Sequence, residues 1–181
     1  MSKKLFVLSG PSGAGIREIA AAVFAAREDV RAVTPVTARK MKEGEVNGVG
    51  FWFYDLDGWK ALKEAGDLLE TTEFAGNDYG TSRALVQQVL DGGNHALLTL
   101  EVERAAQIKR NMPEAVCVYI EPSPAVLEER YRALSRSRFE VPVRLREAER
   151  QRALSAFCDV RLSSDDEEKT ARELCELIDR A

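Results

Sequence analysis

Histidine is almost absent from this chain, with His95 the single one in 181 residues. One histidine rules out most His-based metal sites, and no metal site is expected. His95 precedes a strand-like run and is expected at the surface or a sheet edge rather than in catalysis. Cysteine is scarce too: Cys117, Cys158 and Cys175 show no paired metal spacing and are expected to be buried free thiols. Long apolar runs are missing, so no segment is long enough to span a membrane, and no membrane partner is expected. Positive charge is not in excess. The net charge of −4 gives no general case for nucleic-acid binding. The first residues, Met1 to Phe6, enter a strand almost at once, which is not the pattern of a signal peptide. A cytoplasmic protein is the expectation. What is present, 45% hydrophobic and 31% charged residues, suits one globular domain with a substantial core.

The most telling lack lies inside a motif. Gly10-Pro11-Ser12-Gly13-Ala14-Gly15-Ile16-Arg17 follows the phosphate-loop pattern G-x-x-x-x-G-K-[ST] except at its last two positions. The lysine that would reach the β- and γ-phosphates is Ile16, and the hydroxyl that would hold Mg²⁺ is Arg17. The context is right for the motif. Leu5-Phe6-Val7-Leu8 is an apolar run of strand length, and Ile19, Ala20, Val23 and Phe24 recur at helical spacing. Glycines let the backbone wrap an anion, and the N–H groups of a helix start point at it. Gly10, Ser12, Gly13, Ala14, Gly15, Ile16 and Arg17 are therefore the candidate phosphate loop, where phosphate or sulfate can sit.

Strand-like runs near 4–9, 32–37, 95–101, 115–120 and 158–163 alternate with helix-like runs near 15–27, 82–91, 103–111, 123–134, 143–156 and 166–180. That alternation predicts an α/β fold: a parallel sheet of about five strands flanked by helices. The stretch from 38 to 80, rich in Gly, Asn, Thr and aromatics, breaks it. It reads as a small inserted subdomain of short, mostly antiparallel strands, including Phe51–Tyr54 and Leu68–Phe74. Residues 130–152 carry eight arginines interleaved with glutamates. A solvated face laced with ion pairs accounts for some of them. Ser135-Arg136-Ser137-Arg138 ahead of Pro142 favours a break between two helices. A mobile arginine-bearing loop is one way a phosphate-transfer site closes.

The whole chain resembles guanylate kinase, through motifs in order. Leu8 to Gly15 matches the family's loop. Thr37 to Gly48 resembles its T-T-R-x-x-R-x-G-E-x-x-G segment. Leu68-Leu69-Glu70 and Gly76 to Thr81 resemble its F-[IL]-E and G-N-x-Y-G-T segments, and Asp159 to Asp166 its last strand and N-D-D turn. The resemblance implies a P-loop fold with a core at about 1–36 and 82–181, a GMP-binding subdomain at about 37–81 and a helical lid at about 134–145. The family reaction is ATP plus GMP giving ADP plus GDP, with Mg²⁺.

On the acceptor side the resemblance assigns phosphate contacts to Arg39, Lys42 and Tyr79, and guanine contacts to Glu70 and Thr81. An acceptor-only carboxylate suits the adjacent N1–H and N2–H donors of guanine. Lys42 stands for a second arginine and loses its fork. Phe51 replaces a tyrosine, and Pro35 a base-contacting serine. The donor side departs further. The acidic pair D/E-x-D reads Thr99-Leu100-Glu101, the following Gln-Gly reads Glu103-Arg104, and Asn-Asp-Asp reads Ser164-Asp165-Asp166. Arg132, Arg136 and Arg144 match lid arginines, and Arg17, Arg136 and Arg144 are the candidate catalytic cations. Three readings stay open. The chain binds GMP or a related phosphorylated ligand with little transfer, ATP and Mg²⁺ both being in doubt. It is a working kinase using Arg17 or lid arginines. Or it is a module that binds a phospholigand or protein partner, as guanylate-kinase-like domains of scaffold proteins do.

Overall fold

The computed structural model describes residues 3–135, 137 and 139–181. In chain order the elements are β1 (Leu5–Ser9), α1 (Ile16–Ala26), β2 (Val30–Ala32), β3 (Val36–Thr37), β4 (Trp52–Phe53), α2 (Leu56–Glu64), β5 (Leu68–Phe74), β6 (Asn77–Ser82) and α3 (Arg83–Asp91). There follow β7 (His95–Thr99), α4 (Val102–Asn111), β8 (Val116–Glu121), α5 (Pro124–Leu134), α6 (Glu140–Leu154), β9 (Val160–Ser163) and α7 (Glu167–Asp179).

The core is a five-stranded sheet in the order β2-β7-β1-β8-β9, parallel throughout. Its central strand is apolar on both faces, as a parallel strand covered by two helix layers must be. Phe6 and Leu8 pack with Ile19 and Val23 of α1 and Leu174 and Ile178 of α7. Leu5 and Val7 face the other way, toward Val86 of α3 and Ala105 and Ile108 of α4. Fully burying one such side chain contributes about 1.5–3 kcal/mol, so these two layers carry the fold. A separate small cluster, Leu127, Tyr131, Val141 and Ala148, joins α5 to α6.

The inserted region forms a mixed second sheet, order β4-β3-β6-β5, in which β3 and β4 run parallel and the other pairs antiparallel. The single strand expected at 32–37 is two strands in two sheets. Pro35 lies between them, and a residue without an N–H cannot continue a ladder. The chain therefore leaves the core sheet at Ala32 and enters the second at Val36. Two elements have little signature in sequence. Helix α2 carries Gly58 inside it, yet Asp55 caps it by accepting from the Gly58 N–H at 2.7 Å. Strand β6 contains Gly80, where a Cβ would stand 2.7 Å from the Glu70 carbonyl oxygen. Helix α6 starts three residues ahead of the expected 143, with Pro142 in its tolerant first turn.

His95 is the clearest correction. It is 5% exposed and opens β7, an inner strand of the core sheet. Its Nδ1 accepts from the Lys4 N–H at 3.3 Å, and its ring lies 5.6 Å from that of Phe6. Burial, helped by the charge of Lys3, lowers its pKa, favouring the neutral imidazole. Cys117 is buried, and burial pushes its thiol up to about 12, while Cys158 and Cys175 are only partly covered. Among the described residues no helix is long and apolar enough to cross a membrane.

Candidate active site

The glycine loop joins β1 to α1 and takes its shape from steric demands. Gly13 and Gly15 have φ of 83° and 73°, the left-handed region that other residues avoid. At Gly10 a Cβ would sit 2.0 Å from the carbonyl oxygen of Ile120 on β8. The Ala14 N–H donates to the Pro11 carbonyl at 3.0 Å, closing the turn. Helix α1 has Gly15 at its cap position, with no side chain to accept from the helix start. Its first N–H groups therefore have no intrahelical partner, the arrangement that favours an anion. The loop borders a cavity of about 770 Å³.

The two altered positions behave differently. Ile16 is half-buried: it borders the cavity, sets its Cδ1 3.1 Å from the point a Gly10 Cβ would occupy, and packs against the core on the α1–α7 face. Arg17 is exposed on the cavity wall. Thr99, Leu100 and Glu101, at the end of β7, border both this cavity and a second one of about 690 Å³. The two cavities thus adjoin at the strand end where open α/β sheets bind ligands.

The arginine that meets the loop is Arg130. Its Nη1 donates to the Gly13 carbonyl at 2.9 Å and its Nη2 to the Ser164 carbonyl at 2.8 Å, and it pairs with Glu167 at 3.3 Å. It ties the loop to the segment before α7. Arg132 instead points to solvent, 71% exposed and paired with Glu128 at 2.6 Å. Arg144 lies 5.8 Å over the Tyr131 ring. Arg136 lies outside the described residues. Because Arg130 is charged and only 24% exposed, we expect Arg130→Ala to cost about 1.5–3 kcal/mol. In calorimetry that is a melting point lower by roughly 2–4 °C per kcal/mol; an unchanged melting point would remove its bracing role.

The second cavity lies between the sheets. Arg39 lies two residues past β3, with Nη2 and Nη1 donating to the Glu45 carboxylate at 2.7 and 3.1 Å. Its guanidinium stacks over Phe53 at 5.2 Å and Phe51 at 5.8 Å. Glu45 first, with the Tyr79 phenol adding to it, raises the Arg39 pKa. Tyr79 packs its ring 5.7 Å from that of Phe51, the residue standing where the resemblance expects a tyrosine. Lys42 is exposed, and its backbone N–H donates to Glu45 at 2.6 Å. Glu70 and Thr81 face each other across β5 and β6, with the Thr81 hydroxyl donating to Glu70 Oε1 at 2.7 Å. Both are buried, Glu70 completely.

The guanylate kinase family model matches residues 2–181. This chain belongs to the guanylate kinase family. It is 37% identical over 177 residues to a guanylate kinase of Alkalilimnicola ehrlichii, covering 96% of this chain and 87% of that one. It is 39% identical over 140 residues to one of Enterococcus faecalis, covering 77% and 68%. The crystal structure of guanylate kinase from Anaplasma phagocytophilum superposes with a TM-score of 0.68 at 24% identity, over 99% of this chain and 86% of that one, a likeness of fold.

Against the guanylate kinase pattern, two arginines escaped the sequence reading. Arg130 was legible only as one of a crowd. Arg104 had a signal: it replaces the glycine of Gln-Gly, and with Gln107 and Asn111 it forms an i, i+3, i+7 stripe on α4. The stripe closes the free edge of β5. The Thr71 N–H donates to Gln107 Oε1 and Gln107 Nε2 to the Thr71 carbonyl, both at 3.1 Å, while Asn111 donates to the Leu69 carbonyl at 2.8 Å. Arg104 itself reaches Glu70, with Nε 2.6 Å from Oε2 and Nη2 2.9 Å from Oε1.

Proposed function

We propose that this member of the guanylate kinase family holds a phosphorylated mononucleotide, GMP or a close relative, in the cavity beside Arg39, Lys42 and Tyr79, and transfers phosphate from ATP weakly or not at all. The observation that carries the reading is Ile16, an uncharged, half-buried side chain on the loop-cavity wall under an intact glycine cradle. Backbone N–H groups do not depend on side-chain identity, so Gly10 to Gly15 still suit an anion. Phosphoryl transfer needs more: charge neutralisation on the moving group, aimed before it moves. An isoleucine, with neither charge nor donor, supplies none.

Family members use ATP with Mg²⁺, and the donor set here does not fit that ion. Arg17 puts a fixed cation where a hydroxyl ligand belongs, and Thr99 replaces one carboxylate. Among the described residues no group of three His, Cys, Asp or Glu side chains is placed to hold a metal. The Glu101 carboxylate nearby is 69% exposed and engaged by Arg104 at 3.3 Å. No step through Mg²⁺ is therefore assigned to these residues.

Calorimetric titration with mononucleotides and with ATP, each with and without Mg²⁺, tests the proposal. The expected result is mononucleotide binding in the micromolar range with far weaker ATP binding. Turnover of ATP and GMP within the kinase range of ~1–100 s⁻¹ would sink it and favour a working kinase in which Arg17, on the loop cavity wall, takes over the lysine's task. Absence of any nucleotide binding would favour a module for a different partner.

A further inference from the structure

The base-reading carboxylate of this pocket is already read. Glu70 is fully buried, and both its oxygens are taken: Oε1 by Thr81 Oγ1 at 2.7 Å and Arg104 Nη2 at 2.9 Å, Oε2 by Arg104 Nε at 2.6 Å. Two parallel N–H groups on one planar unit, one to each carboxylate oxygen, form a fork. The N1–H and N2–H of guanine present the same fork, because that edge is itself a guanidine fragment. Arg104 therefore fills the place at Glu70 that the edge of a guanine would need. It is not a loose surface cation: its side chain is 19% exposed, and the Gln107 and Asn111 contacts fix the helix face that carries it. The cavity wall offers Arg104 and Thr81 in place of the carboxylate, among apolar side chains such as Val33, Pro35, Phe51 and Leu98.

We propose that Arg104 is the specificity-determining residue of this cavity: by occupying Glu70 in the manner of a guanine edge, it makes the pocket indifferent to the 2-amino group of the base. The inference rests on the mononucleotide reading above. Of the five N–H groups of Arg104, two engage Glu70 and one Glu101; two have no partner among the described residues. The group that faces a ligand is thus a donor. It suits a keto oxygen or an unprotonated ring nitrogen, which guanine and hypoxanthine share. In a pocket read by a free carboxylate, the nucleotide lacking the 2-amino group leaves an acceptor unpaired and binds less well.

Titration of the protein with GMP and with IMP decides the matter, alongside the Arg104→Met variant, whose fold is checked by circular dichroism. The wild type is expected to bind the two nucleotides within about threefold of each other, and Arg104→Met to prefer GMP by roughly tenfold or more, the worth of one charge-assisted hydrogen bond. A wild type that already prefers GMP by that margin overturns the proposal, as does a folded Arg104→Met that treats both alike. Should the variant fail to fold, the wild-type ratio decides alone. If neither protein binds either nucleotide, this inference and the mononucleotide reading both fall. If only Arg104→Met binds GMP, Arg104 closes the cavity rather than relaxing its choice of base, and the inference falls with the wild-type reading.

Discussion

A protein carrying Ile16→Lys together with Arg17→Ser should transfer phosphate from Mg-ATP to a mononucleotide at least about 10²-fold faster than its parent. The size follows from what one preorganised charge-stabilising donor is worth, about 10²–10³ in rate. The gain is available because the backbone that aims such a donor is in place. Gly13 and Gly15 hold their left-handed conformations, and Gly10 lies against Ile120 where no side chain fits. A lysine at position 16 has a stem long enough to keep part of the apolar contact beneath Gly10 while its ammonium reaches the cavity. Serine at 17 removes the cation that repels Mg²⁺ and restores a hydroxyl. The two changes act as a unit, so each alone is expected to give much less than the pair. Thr99 still stands where the family carries an acid, which caps the recovery below a full kinase. Single-turnover transfer from radiolabelled ATP measures the effect. No gain over the parent would mean that the obstacle lies in the acceptor cavity or the lid rather than the loop.

The parts of this molecule that sequence made legible are those where backbone geometry dictates the residue. The glycines at 10, 13 and 15 could be read because their positions tolerate nothing else. The unbroken apolar run of Leu5 to Leu8 could be read because both faces of β1 are covered. Arg39, Glu70, Tyr79 and Thr81 came from the resemblance; Tyr79 and Thr81 line one cavity, Glu70 lies behind Thr81, and Arg39 sits over the Phe51 ring at its border. What sequence hid was contact across distance. Arg104 and Glu70 are 34 residues apart, and nothing local to either names the other. Arg130 reaches back 117 residues to Gly13, whereas its neighbour Arg132, chosen by register, points to solvent. Strand β3 spans two residues, too short for any period. His95 carries no mark of burial because its partner is a backbone N–H at the start of another strand.

The contact that sequence hid most completely should also be the one the fold feels most. Arg104→Met leaves the Glu70 carboxylate buried with Thr81 as its remaining donor, and breaking a buried pair from one side costs about 3–5 kcal/mol. Removing the second partner is expected to restore stability rather than subtract more. In Glu70→Leu with Arg104→Met, no charge stays in the interior, and the main debt is the Thr81 hydroxyl, 1% exposed and now unpaired, at about 1–3 kcal/mol. The double variant should therefore unfold at higher urea than Arg104→Met alone, with the wild type above both. That inversion is the signature of a desolvated ion pair, since independent packing losses would add. A double variant weaker than either single one would mean that Glu70 and Arg104 contribute by shape, and would withdraw the support their pairing gives to a pocket indifferent to the 2-amino group. The inverted order would instead tie the proposed specificity to stability: the bond that keeps the interior neutral is the one that occupies the Glu70 carboxylate.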